Sequence, residues 1–442
     1  MSASETNQPK GCSASEVPLP SVRRWLLARD RPGHQPRIAL YSPGMVGLGH
    51  MRRHVLIAQA LAGSPLRPAL LLLAEAREAG AFPMPGRVDC VTLPALRKDA
   101  DGRCAPRHLG LPLRDVVALR AETIRATLRS FDPDVLIVDH LARGALGELQ
   151  PALSALRAGG RTRCILGLRD VLEAPDELRR EWRRWRTVAA IRAYYDAVWV
   201  YGDPAVYDLV RECRFPRSVA AKVTYTGYLD SRRRLECEPT TVPQLLQTLG
   251  LADRRLVLCL VGGGQDGGPL AEAFLQTALP PDAVGVVVTG PFMPPDVRRA
   301  IHALGATTGV KVVDFLAEPA PLLQRADSVI AMGGYNSVCD VLSFDKRALI
   351  IPRGPPRREQ LLRAERLGAV GAFDVLDPSR LSPFALSEWI AAAGPRRVRS
   401  HIDVGGLARL PALLASVLTP ERQPATPLLA GHRRAEARVA TA

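Results

Sequence analysis

The sequence predicts an α/β protein of two doubly wound, Rossmann-like domains facing each other across a cleft. Apolar strand-like runs alternate with helical patterns along most of the chain, which marks parallel sheets covered by helices on both faces. The alternation comes in two sets, each opening strand, glycine loop, helix, with a lapse between them. At 442 residues the chain is also longer than one core ordinarily serves. With 47% apolar and 23% charged residues the composition is that of a globular protein, so wholesale disorder is excluded.

Residues 1–36 read as a flexible lead-in rich in Ser, Pro, Gly and Gln, and arginines interrupt any signal-peptide core. The first domain spans 37–230. A strand at 37–42 leads into a glycine loop at 43–50 and an amphipathic helix at 51–61. Strands follow at 68–74, 88–93, 134–139, 163–168, 197–201 and 222–226. Helices fit 113–130, 146–156 and 177–193. A charged stretch with Pro239 makes 231–253 a linker. The second domain, 254–420, repeats the pattern: strand 255–261, glycine run 262–264, helix 269–278, strand 284–289, helix 295–304, strand 310–315.

Its centre is 328–367. A short strand ends at Met332, and Gly333-Gly334 allows a sharp turn with room for a ligand. Asn336 or Ser337 can cap the next helix, whose Val338, Val341 and Leu342 share a face. A strand at 347–351 stops at Pro352. Free N–H groups and the helix dipole at such a turn suit a phosphate. Residues 421–442 read as a disordered tail.

Gly333-Gly334-Tyr335-Asn336-Ser337, Asp340 one turn on, and Glu359-Gln360 opening the next helix resemble the donor-binding half of the glycosyltransferase family 28 C-terminal domain. The resemblance covers 255–418 well and the first half loosely. It implies a GT-B fold, with the donor on the second domain and the acceptor on the first. The implied activity is metal-independent, cofactor-free transfer of a hexose-type sugar from a nucleotide-diphosphate donor, UDP first among them, to an acceptor hydroxyl. By resemblance Asp340 holds the ribose, Glu359 and Gln360 hold the sugar, and backbone near Leu316 reads the base. The family often has Glu, one methylene longer, where Asp340 stands. Gly262, Gly263, Gly264 and Gln265 resemble its second glycine loop, which often carries a hydroxyl residue at the position of Gly264, so phosphate contact here would come from backbone.

On the acceptor side, Gly44-x-x-Gly47-x-Gly49-His50 follows the first strand. His50, beside the loop glycines Gly47 and Gly49, is the candidate base. Asp139 ends its strand at the carboxyl edge, where open α/β sheets carry chemistry, and could orient the imidazole. Either could be the proton acceptor.

Other patterns carry less. The loop is not G-x-G-x-x-G, although Glu75 could imitate the ribose acid of a nicotinamide enzyme. Asp132-Pro-Asp134 sits at the wrong end of its strand for a metal–nucleotide site, and His50 and His54 have zinc spacing but arginines between them. Eight cysteines form no C-x-x-C pair. Arg169-Asp170 reads as local ion pairing. Trp182, Trp185 and Val188 share a helix face among arginines, which suits either packing or a membrane surface.

The +15 formal charge favours acidic partners: a nucleotide diphosphate or an anionic lipid surface, with nucleic acid not expected. The acceptor would be lipid-linked or a polysaccharide, with peripheral membrane association. The expected location is the cytoplasm, at the inner face of the membrane, because no apolar run approaches the roughly 18 residues of a spanning helix. Two rival readings are a nucleotide-sugar 2-epimerase of the same fold and a non-catalytic nucleotide-sugar-binding protein.

Overall fold

The structure, a computed structural model, describes residues 35–44, 49–75, 84–98, 104–236, 247, 249–251, 254–355, 357–392 and 401–418. The expected flexible lead-in and disordered tail fall almost wholly outside these residues, as do Gly47 and most of the expected linker beyond 236.

Two parallel sheets carry the fold. The first is built from β1 (Arg37–Tyr41), β2 (Ala69–Ala74), β3 (Val88–Thr92), β6 (Val135–Asp139), β7 (Arg163–Arg169), β8 (Ala197–Tyr201) and β9 (Val223–Tyr225) in the order β3-β2-β1-β6-β7-β8-β9. A small antiparallel hairpin, β4 (Leu96–Lys98) with β5 (Cys104–Pro106), branches from it. The second sheet orders β10 (Arg255–Leu260), β11 (Ala283–Val288), β12 (Lys311–Val313), β13 (Ser328–Ala331), β14 (Arg347–Ile350) and β15 (Asp374–Val375) as β12-β11-β10-β13-β14-β15. Central strands such as Val135-Leu-Ile-Val-Asp139 are buried along their whole length, because helices cover both faces and leave no position for alternation.

In each sheet the strand order reverses beside its first strand, between β1 and β6 and between β10 and β13. Such switch points open a crevice at the carboxyl ends of the strands. The helix Gly49–Ala62 starts at the first crevice and the helix Tyr335–Ser343 at the second.

The two halves share a core. One apolar cluster runs from Ile38, Leu40 and Ile137 through Val55 and Leu61 to Leu256, Leu258 and Val329. The outer faces have separate clusters. The last helix, Gly406–Leu418, adds Leu407, Leu410 and Leu414 to the shared cluster and packs on Gly49–Ala62 of the first half. Its approach is fixed where the Tyr228 N–H donates to the Asp403 carbonyl at 2.8 Å and the Gly406 N–H donates to the Tyr228 carbonyl at 3.0 Å.

Four local expectations need correction. The stretch read as one helix over 177–193 is two, Pro175–Arg184 and Thr187–Tyr194, broken where Arg186 takes φ 51°. The face proposed for a membrane is therefore divided: Trp182 packs on Phe215 in the core, while Trp185 is exposed. The linker does not begin as open chain, since Ser231–Glu236 forms a 3₁₀ turn against the second half. Glu75 is no ribose acid: it is buried and paired with the buried Arg120 at 2.9 Å, which also holds Glu148. Gly44, at φ 66°, is required there because a Cβ would strike the Glu75 side chain.

Candidate active site between the sheets

On the first-domain side, β6 delivers Asp139 to the crevice and the first turn of helix Gly49–Ala62 delivers His50. The Nδ1 of His50 lies 2.8 Å from Asp139 Oδ2. A carboxylate only accepts, so Nδ1 carries the hydrogen and Nε2 is the basic nitrogen. One turn along, Arg53 donates to the same carboxylate through Nη2 at 2.6 Å and Nε at 3.2 Å. Asp139 is fully buried, yet the nearby Arg53 and His50 hold it well below the usual carboxylate range. His50 is held below its ordinary value of 6.5, chiefly by burial, with Asp139 acting against that shift. The imidazole is thus neutral near pH 7 and able to take a proton.

His140 follows Asp139 with a left-handed backbone, φ 64°. Its N–H donates to the Gly167 carbonyl at 2.8 Å, and its ring lies 5.8 Å from that of His50. Arg169, at the end of β7, completes this edge.

The second domain answers with its glycine turns. Gly334, not Asn336 or Ser337, occupies the cap position of helix Tyr335–Ser343, and no side chain caps it. Ser337 lies half-buried in the uncapped first turn. The Asn336 side chain instead donates to the Gly49 carbonyl at 2.9 Å, tying the two crevices together. Neither Gly333 nor Gly334 has positive φ, so the turn there does not use glycine's left-handed freedom. What Gly333 provides is close approach: a Cβ would lie 3.0 Å from the Gln360 carbonyl. At Gly334 a Cβ would meet nothing, so open space lies over the helix N-terminus.

The loop after β10 is conformationally glycine-dependent at Gly262 (φ 66°) and Gly264 (φ 91°). A Cβ on Gly264 would come within 2.2 Å of the Thr289 carbonyl, so no hydroxyl residue fits in its place. Gly263 accepts from the Phe292 N–H at 2.9 Å, and Gln265 is exposed. Leu316 packs half-buried at the edge of the shared core.

Asp340 is buried and paired through Oδ1 with Arg234 at 3.1 Å. Glu359 is buried and paired with Arg353 through Oε1, while its Oε2 has no partner. Gln360 Oε1 accepts from the Arg353 N–H at 3.0 Å. Asp170, expected to pair locally, instead pairs across the interface with Arg363 at 2.9 Å, and Tyr228 donates to it at 3.0 Å.

His50 and Asp139 are therefore brought together, as are the glycine turns and Glu359. Four of the arginines around them were missed, Arg53, Arg234, Arg353 and Arg363, while Arg169 was read only as a local ion pair with Asp170. Helical spacing could have signalled two, since Arg53 stands at i+3 from His50 and Arg363 at i+4 from Glu359.

Comparison with known proteins agrees with this layout. Residues 286–396 match the glycosyltransferase family 28 C-terminal domain. Over 81 residues the chain is 30% identical to the UDP-N-acetylglucosamine–N-acetylmuramyl-(pentapeptide) pyrophosphoryl-undecaprenol N-acetylglucosamine transferase of Haemophilus influenzae, covering 18% of this chain and 23% of that relative. The chain thus matches about a quarter of the length of that curated relative. Among solved structures, MurG of Acinetobacter baumannii superposes with a TM-score of 0.51 at 16% identity, covering 86% of this chain and 99% of its own. The UDP-GlcNAc 2-epimerase of Neisseria meningitidis, bound to UDP-GlcNAc, superposes at 0.55 and 14% identity, covering 87% and 99%. At these identities the structural likeness speaks to the fold. Residues 286–396 of this chain thus resemble the glycosyltransferase family 28 C-terminal domain, and the chain as a whole has the GT-B fold.

Proposed function

We propose that the protein is a glycosyltransferase moving a hexose-type sugar from a UDP-type donor to an acceptor hydroxyl. The observation that carries this reading is the His50–Asp139 contact at 2.8 Å, set beside the uncapped N-terminus of helix Tyr335–Ser343 by the Asn336–Gly49 hydrogen bond. The acceptor oxygen attacks the anomeric carbon, its proton passes to His50 Nε2, and the bond from that carbon to the diphosphate breaks. Asp139 and Arg53 fix the ring and keep Nε2 facing the acceptor. The departing diphosphate takes the electron pair and meets the free N–H groups of the helix and the Gly262–Gly264 backbone. No step requires a metal.

Donor contacts follow from the atoms left open. Asp340 keeps Oδ2 for ribose while Arg234 anchors Oδ1. Glu359 Oε2, buried and unpartnered, is matched to a sugar hydroxyl, with the Gln360 amide beside it. Backbone near Leu316 reads the base. The relative from Haemophilus influenzae is named for an undecaprenol-linked acceptor, which supports an acceptor of that kind.

A second reading, a nucleotide-sugar 2-epimerase, is favoured by the superposition on the Neisseria meningitidis enzyme. Incubating the full chain with UDP-GlcNAc alone separates the two. An epimerase converts the sugar without an acceptor, whereas the transferase leaves it unepimerised. A thermal-shift panel of UDP-, GDP- and dTDP-sugars tests the donor, because a ligand bound only by the folded state raises its melting temperature with concentration. No response to any nucleotide sugar would overturn both readings.

A further inference from the structure

Among the described residues, the crevice holds a cation that no carboxylate contacts. Asp139 is paired with Arg53 at 2.6 Å, Asp170 with Arg363 at 2.9 Å, and Glu359 with Arg353. Arg353 also reaches Asp266 on the rim at 3.0 Å. Arg169 stands among these groups, with Arg53 and Arg363 repelling it and Asp139 and Glu359 attracting it, yet it makes no ion pair or hydrogen bond among the described residues. Its Nε is buried without a partner, and so is Nδ1 of the neighbouring His140. Burial and the two arginines pull the Arg169 guanidinium down to about 10, still charged near pH 7. Arg169 as a whole is half-buried, and a partly desolvated charge without a partner is costly unless a ligand supplies the opposite charge.

We propose that Arg169, with His140 beside it, is an anion-binding subsite on the acceptor side of the crevice, receiving a phosphate or carboxylate carried by the acceptor near the hydroxyl that faces His50. The planar guanidinium can hold either group through two parallel hydrogen bonds. The subsite lies on β7 of the first domain, whereas the turns assigned to the donor diphosphate lie on the second. This inference rests on the transferase reading only for the word acceptor, since anion binding itself can be tested without turnover.

The test titrates the full chain with inorganic phosphate, first alone and then with saturating UDP, following the melting temperature and binding by calorimetry. Phosphate should stabilise the wild type in both arms, because UDP fills a different place. Arg169→Gln should weaken phosphate binding at least tenfold and leave UDP affinity within about twofold, a tenfold change being about 1.4 kcal/mol. The ligand-free variant should melt at or above the wild-type temperature, since an unpartnered, half-buried charge is gone. Phosphate binding unchanged in Arg169→Gln, or abolished by UDP in the wild type, would overturn the proposal, the latter by assigning Arg169 to the donor diphosphate. If Arg169→Gln fails to fold, Arg169→Lys is read the same way, with phosphate weakened several-fold and UDP unaffected. Failure to bind UDP with intact phosphate binding would sink the transferase reading and leave the subsite standing.

Discussion

Arg363 and Asp170 meet at 2.9 Å across the two halves, both side chains buried, and the same guanidinium donates to the Gly333 carbonyl at 3.0 Å. One arginine therefore joins the carboxyl edge of the first sheet to the glycine turn of the second. It also lies 5.8 Å from the Tyr335 ring centre, while Arg53 lies 5.4 Å from it. Removing one partner strands a buried charge, so Arg363→Met or Asp170→Asn should each cost about 3–5 kcal/mol in urea unfolding. Arg363→Met combined with Asp170→Asn should cost less than the sum of the two single changes. Strict additivity would show that the two residues do not act as a pair.

His50→Ala should lower kcat by about 100- to 10,000-fold, the usual contribution of a positioned general base. The donor dissociation constant should stay within a few-fold, because the proposed donor contacts lie on the other half. Full turnover with weakened donor binding would instead make His50 a diphosphate contact.

Asp139→Asn acts in two ways. Asp139 raises the His50 pKa, so its neutral replacement should move the acid limb of the rate profile, already below 6.5, to still lower pH. It also leaves the buried Arg53 without its partner, so stability should fall by about 3–5 kcal/mol. Loss of turnover at every pH would argue that Asp139 is itself the base.

Acid sensitivity follows from three histidines, His54 buried and His50 and His140 half-buried. His50, His54 and His140 are all held below 6.5 by burial, His54 down to about 4. Between those values the unfolded chain binds protons that the folded one refuses, so stability rises with pH there. It is fully present above about 6.5 and is lost as pH falls through the folded values. The melting temperature should therefore drop from pH 7 to pH 4.5. His54, with neither ring nitrogen partnered, is the cleanest probe. His54→Leu should flatten this dependence, and an unchanged slope would exonerate it.

Asp340→Ala should weaken UDP binding more than it weakens binding of the 2′-deoxy analogue, if Oδ2 meets the ribose. Equal losses would assign Asp340 to holding Arg234 alone.

The sequence alone determined the two-sheet architecture, because buried parallel strands must be near-continuous apolar runs and their carboxyl ends need loops that glycine permits. It also singled out His50, Asp139, Glu359 and the glycine loops, each tied to a strand end or helix start. Only the tertiary structure decided what those residues touch. Asn336 looked like a local cap and reaches Gly49 in the other half. Asp170 looked locally paired and meets Arg363, 193 positions away. Arg169 looked paired with its neighbour Asp170, but Asp170, Asp139 and Glu359 each pair with another arginine. The last helix, Gly406–Leu418, crosses back to the first half, a destination its amphipathic pattern could not name. Periodicity reports which face of an element is buried. Which distant group neutralises a buried charge depends on how the two sheets dock, and in a chain with 59 Lys and Arg residues local sequence leaves many candidates for each acid.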